Sequence, residues 1–200
     1  MDFFEAISNV FHDLEIYHDS FTKQHECRTG KLMSILGTAL KLDKTFCNEL
    51  EQAGSMHDIG KLTIPAKILE KPGPLSAFER EVIKLHAEIG HKLINKINHP
   101  LTELVSIITL THHEAYDGSG YPYGLKGEHI PLAGRICSIC DVYDALISHR
   151  PYRKSQTHES IIQMMTDTGP TGLARKFDPA ILDTFLSINE QIIQLYAANC

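Results

Sequence analysis

Apolar positions recur along this chain at three- and four-residue spacings, the period of helices buried on one side. In residues 31–42, Leu32, Ile35, Leu36, Ala39 and Leu40 predict an amphipathic helix. Over 76–97, Ser76 and Glu79 stand in capping-box spacing, and Phe78, Val82, Leu85, Ile89, Leu93 and Ile97 form the predicted inward stripe, with His86 beside it. The stretch 101–113 repeats the pattern with Leu101, Leu104, Val105 and Ile108; His112 falls four residues on, and His113 lies about 100° further round a helix. Residues 134–149 predict a helix that carries Asp141 and Asp144 on one face. Asp178 as cap and Pro179 in the first turn open a last helix, with Leu182, Phe185, Leu186 and Ile193 as its apolar side. No segment alternates as a strand would. Gly- and Pro-rich loops are predicted at 70–76 and 116–131, the second long enough to suggest function. The expected fold is an all-α, single-domain helical bundle, with a helical lead-in at 1–17 and the domain proper over 18–200.

Composition narrows the function classes. Hydrophobic residues make up 42% of the chain, and no apolar run approaches the ~20 residues of a membrane span. The opening residues lack the basic start and apolar core of a signal peptide, so a cytoplasmic location is expected. Among five cysteines, Cys137 and Cys140 have CxxC spacing without a second pair to complete a zinc cage, and are expected to be buried helix-face thiols. A net charge of −6 argues against a general binder of DNA or RNA, but a local cluster of cations can still receive a small anion.

The 12 histidines change the picture most. His57, Asp58 and Lys61 fall within about a turn and a half of helix. There a carboxylate can bridge two metal ions while a lysine meets a phosphate oxygen. His-Asp alone is a weak signal. It gains weight because His25, His86, His112, His113 and Asp141 supply further ligand-type side chains, most of them on or beside inward faces. So many inward polar groups need a shared partner, and a metal cluster supplies one. The mixed nitrogen and oxygen set suits Fe, Mn, Ni, Co or Zn better than Ca or Mg.

The order H…HD…H…HH…D, with HDIGK at 57–61, HHEAYDGSGYP at 112–122 and DVYDALISHRPYRK at 141–154, resembles the HD-GYP family of bacterial cyclic dinucleotide phosphodiesterases, a branch of the HD hydrolases. The segments IPLAGRI (130–136) and KFDP (176–179) strengthen the likeness. The resemblance implies a helical bundle of the HD type that hydrolyses cyclic di-GMP to pGpG, with GMP as a slower further product, using metal ions, iron or manganese before nickel, cobalt or zinc. It places the metal ligands at His25, His57, Asp58, His86, His112, His113 and Asp141, with Asp58 as the bridge. Lys61 and Asp144 would assist at the scissile phosphate; Gly120, Tyr121, Pro122, Arg150, Arg153 and Asp19 would meet the substrate. Family members with three metals carry a glutamate four residues before the first histidine ligand. Phe21 stands there in this chain, so two ions are expected. His91, His99, His129, His149 and His158 match no ligand position and are expected to be solvated. Cyclic GMP-AMP or another nucleotide is the rival substrate, and a non-catalytic cyclic-dinucleotide receptor the rival class. A homodimer, or association with regulatory or diguanylate cyclase proteins, would fit the family; insertion into a membrane would not.

Overall fold

The computed structural model describes Asp13 and residues 22–148 and 156–197. Apart from Asp13, the lead-in lies outside the described residues, as do Asp19, Phe21, His149, Arg150 and Arg153.

Within them the chain is helical and contains no strand. Helix α1 (Thr22–Ala39) packs along α2 (Lys44–Gly54), whose start is capped by the Asp43 side chain. A turn and a 3₁₀ segment (Ile59–Thr63) lead into the short α3 (Ala66–Leu69) and then α4 (Ala77–Ile94). Helix α5 (Thr102–Thr111) follows, then a long loop with a 3₁₀ turn at Gly127–His129, and α6 (Leu132–Ile147). Helix α7 (His158–Thr166), a 3₁₀ turn (Ala174–Lys176), α8 (Pro179–Ser187) and α9 (Asn189–Ala197) complete the order. Helix α6 packs against both α1 and α5 at the centre; α2 and α9 pack against α1, and α4 against α5. Leu32, Met33 and Leu36 of α1 pack there with Leu50, Val105, Ile108, Ile136, Ile139, Tyr143 and Phe185 in one continuous core. Cys137 and Cys140 belong to it as buried free thiols, their pKa values pushed well up by burial.

Three expectations are corrected. Helix α4 has the predicted Ser76–Glu79 capping box, yet its inward face is not the predicted stripe. Phe78 and Leu85 are 75% and 47% exposed, and the buried positions are His86, Ala87, Gly90 and Ile94. Small residues decide this orientation. A Cβ on Gly60 would lie 1.9 Å from the His86 carbonyl oxygen, and one on Gly90 would lie 2.5 Å from the Thr109 side chain. Backbone must therefore pass close to backbone on this side, which leaves Phe78 and Leu85 facing outward. The last predicted helix is two helices broken at Ile188, with Ile192 buried and Ile193 exposed. His91 and His158 are half-buried and hydrogen-bonded rather than freely solvated: His91 Nδ1 lies 2.6 Å from Ser106 Oγ, and His158 Nδ1 lies 2.7 Å from the Tyr143 hydroxyl.

Candidate metal centre

The His57-Asp58 pair sits in the turn between α2 and the 3₁₀ segment, not on an α-helix as its spacing implied. Around it α1 contributes His25, α4 His86, the end of α5 His112 and His113, and α6 Asp141. Helix α5 stops at Thr111 with His112 as its C-cap, so two adjacent histidines aim the same way with ring centroids 4.0 Å apart. His25, His57, Asp58, His86, His112 and Asp141 are all buried.

The ring orientations follow from the atoms behind them. Nδ1 of His57 donates to the Gly54 carbonyl at 2.8 Å, that of His86 to Ile83 at 2.6 Å and that of His112 to Thr109 at 2.9 Å. His25 Nδ1 instead meets the Asp144 carboxylate at 2.7 Å. Each bond fixes the proton on Nδ1 and leaves an Nε2 lone pair for a cation, the usual support of a histidine ligand.

Asp58 divides these Nε2 atoms into two groups. Its Oδ1 lies 3.2 Å from His86 and 3.6 Å from His112; its Oδ2 lies 3.4 Å from His57 and 3.9 Å from His25. Asp141 Oδ1 stands on the second side, 3.1 Å from His25 and 3.7 Å from His57. Two clusters result, Asp58–His86–His112–His113 and His25–His57–Asp141, and each offers ligand atoms close enough to share one ion. His25 Nε2, His57 Nε2 and Asp58 Oδ1 are buried without a hydrogen-bond partner. Such atoms are costly to bury unless something between them takes their lone pairs, so the residues fit a metal.

Electrostatics point the same way. Burial would favour neutral carboxyls, but Lys61 and His57 hold Asp58 well below the usual range, and His25 and His57 do the same for Asp141. Burial lowers the His57 pKa, yet Asp58 overcomes this and raises it to about 10. Its proton sits among carboxylate oxygens, where a metal cation would replace it. Burial, reinforced by His112, pushes His113 well down and keeps that imidazole neutral, as a ligand must be.

The mouth of the site is built by the loop after His113. The Tyr121 ring stacks on His113 at 4.7 Å between centroids, and Lys84 lies 5.6 Å above the Tyr121 ring. Gly120 is required, because a Cβ there would lie 2.3 Å from the Ala115 nitrogen. Pro122 follows through a cis peptide bond. Glu114, which sequence reasoning passed over, is buried beneath the loop and accepts the Tyr123 and Leu125 N–H groups at 2.8 and 2.9 Å. Its signal was an acid directly after two inward histidines. The motifs IPLAGRI and KFDP interlock: Arg135 pairs with Asp178, which also caps α8, while the Lys176 carbonyl accepts the Tyr116 N–H at 2.8 Å. Their conspicuous residues anchor this loop.

Lys61 stands at the edge of the centre, its Nζ on Asp58 Oδ2. Asp144 does not. It lies behind His25, fully buried, and accepts hydrogen bonds from Arg28, Ser148 and Tyr196. Burial works against its ionisation, and the bonds from His25 and Arg28 prevail and hold its pKa well below the usual range.

The HD domain family model matches residues 9–181. The chain belongs to the HD domain family. Over 98% of its length this HD domain is 34% identical to a cyclic di-GMP phosphodiesterase of Thermotoga maritima, covering 52% of that protein. It is 36% identical over 96% of its length to the cyclic di-GMP phosphodiesterase response regulator RpfG of Xanthomonas campestris, covering 49% of it. A 3'3'-cGAMP-specific phosphodiesterase 2 of Vibrio cholerae is 35% identical over 88% of the chain, which covers 33% of that protein. The HD domain thus spans about half, or less, of the length of these relatives. In fold it is similar to Bd1817, an HDG"Y"P protein from Bdellovibrio bacteriovorus, with a TM-score of 0.67 at 18% identity over 86% of this chain and 53% of that one. No helix among the described residues is long and apolar enough to cross a membrane.

Proposed function

We propose that this HD domain is a metal-dependent phosphodiesterase that hydrolyses cyclic di-GMP to pGpG. The observation that carries the reading is the division of Asp58, one oxygen toward His86 and His112 and the other toward His57 and His25. Asp58, shared between the two ligand clusters, would help to hold two divalent ions, iron or manganese suiting the nitrogen and oxygen donors well. When bound, such a pair of ions supplies an activated water and neutralises charge on the phosphoryl oxygens.

The chain's own residues do the rest. The backbone-anchored histidines keep their lone pairs aimed without reorganisation during turnover. Lys61 places a positive charge beside Asp58, where it offsets negative charge growing on the phosphate or the departing oxygen. Tyr121, stacked on His113, walls the entrance and positions a base or ribose against the centre. Arg150 and Arg153 are assigned to the phosphates of the dinucleotide, and Asp19 to the substrate's edge. Asp144 holds His25 rather than meeting the phosphate.

The similarity to a 3'3'-cGAMP-specific enzyme, comparable to that of the cyclic di-GMP enzymes, makes cyclic GMP-AMP the competing substrate. The test is turnover of both dinucleotides by manganese- or iron-loaded protein, resolving pGpG from GMP and counting bound ions. Two ions per chain with pGpG accumulating is the expected result. Binding of cyclic di-GMP without cleavage by the loaded protein would make it a receptor.

A further inference from the structure

Three of the four histidines placed around Asp58 by their Nε2 atoms are fixed by their own local backbone, each Nδ1 donating to a carbonyl three residues earlier. His25 differs. Its Nδ1 bonds to Asp144, 119 residues along the chain, so its aim depends on tertiary packing. Asp144 is itself oriented by others. Arg28, one turn beyond His25, donates from Nε to Oδ1 at 2.7 Å and from its terminal nitrogen to Oδ2 at 3.1 Å. Ser148 donates to Oδ2 at 2.9 Å and accepts from Arg28 at 2.7 Å. The remaining donor is Tyr196 in the last turn of α9, whose hydroxyl reaches Asp144 Oδ1 at 2.7 Å while its ring lies 5.6 Å from the Arg28 guanidinium.

We propose that Tyr196 is a positioning residue for His25 and thereby sets cation affinity at the His25–His57–Asp141 cluster, leaving the Asp58–His86–His112–His113 cluster unchanged. Asp144 is completely buried, so water does not replace a lost donor. Without the hydroxyl, Oδ1 keeps only Arg28 and the carboxylate is freer to turn, taking the His25 ring with it. Partners of this kind behind a ligand typically change metal affinity by about 10–100-fold. The docking of α9 thus becomes a condition for filling one of the two metal positions. This rests on the two-cluster reading above.

The experiment is a cobalt(II) titration of the intact protein, followed by visible absorption and by equilibrium dialysis, for wild type, Tyr196→Phe and Asp144→Asn. Tyr196→Phe keeps the ring that packs edge-on against Tyr143 at 5.3 Å, and far-UV melting of the cobalt-free protein verifies that it is folded at the titration temperature. Wild type should bind in two steps. In both variants one step should weaken by about tenfold or more while the other stays in place. A two-step wild type with unchanged steps in folded Tyr196→Phe, or with both steps weakened equally, overturns the positioning role. A wild type that binds fewer than two ions overturns the two-ion reading, and this inference with it.

Discussion

Replacing Gly60 with Ala tests whether the close approach of the His-Asp turn to α4 builds the centre. The added methyl would lie 1.9 Å from the His86 carbonyl oxygen, 2.7 Å from its carbonyl carbon and 2.8 Å from the Gly90 nitrogen. All three are backbone atoms inside a helix and cannot swing aside. Normal contact near 3.4 Å requires the turn to retreat from α4 by roughly 1.5 Å. Overpacking of this kind costs about 1–3 kcal/mol or more, which for a domain of this size lowers Tm by about 2–12 °C. The consequence for the site is larger. Asp58 is two residues away and His86 supplies the obstructing oxygen, so their present 3.2 Å separation changes by a similar amount, whereas metal–ligand distances tolerate only about 0.2 Å. Differential scanning calorimetry and elemental analysis should show a lowered Tm together with loss of bound metal and of pGpG formation. A Gly60→Ala protein with wild-type Tm and full metal content would refute the claim that this contact sets the geometry of the centre.

Asp58→Ala should abolish metal retention at both clusters and hydrolysis with it, because each cluster borrows one Asp58 oxygen; normal metal content measured by plasma emission would rule out the bridge. Glu114→Gln leaves one loop N–H facing an amide NH2, a mismatch of about 1–3 kcal/mol, and should raise KM for cyclic di-GMP by about tenfold with metal content intact. An unchanged KM would remove the loop from substrate binding. Glu79 titrates at about 2 rather than 4.5, because Lys71 and the Ser76 N–H bond its carboxylate. A depressed carboxyl stabilises the fold above its unfolded value, and that contribution disappears as the pH falls through about 2. Thermal melts of Glu79→Ala should therefore fall less steeply than wild type between about pH 4.5 and 2; parallel curves would contradict the role of this pair.

Much of the fold was legible in local pattern. The apolar spacing at Leu32–Leu36 and Val105–Ile108, the Ser76 capping box and the Asp178-Pro179 start are signals carried within a few residues, and the helices form where those signals lie. Most side chains that gather in the centre were legible too, because an imidazole or carboxylate on an inward face must find a partner; His25 was legible only through the family resemblance. Other features depended on which backbones touch. The facing of α4 departs from the predicted stripe at Phe78 and Leu85, since hydrophobicity does not register that Gly60 and Gly90 let two backbones meet and leave those two residues outside. The family resemblance assigns Asp144 to the scissile phosphate. Only packing, with Arg28 and Tyr196 brought from opposite ends of the chain, puts it behind His25. The sequence by itself determined which chemical groups are present and which local segments coil. Which oxygen of Asp58 faces which histidines is a matter of tertiary packing, because it depends on how α1, α4 and the end of α5 are set around the His57-Asp58 turn, and no local spacing encodes that arrangement.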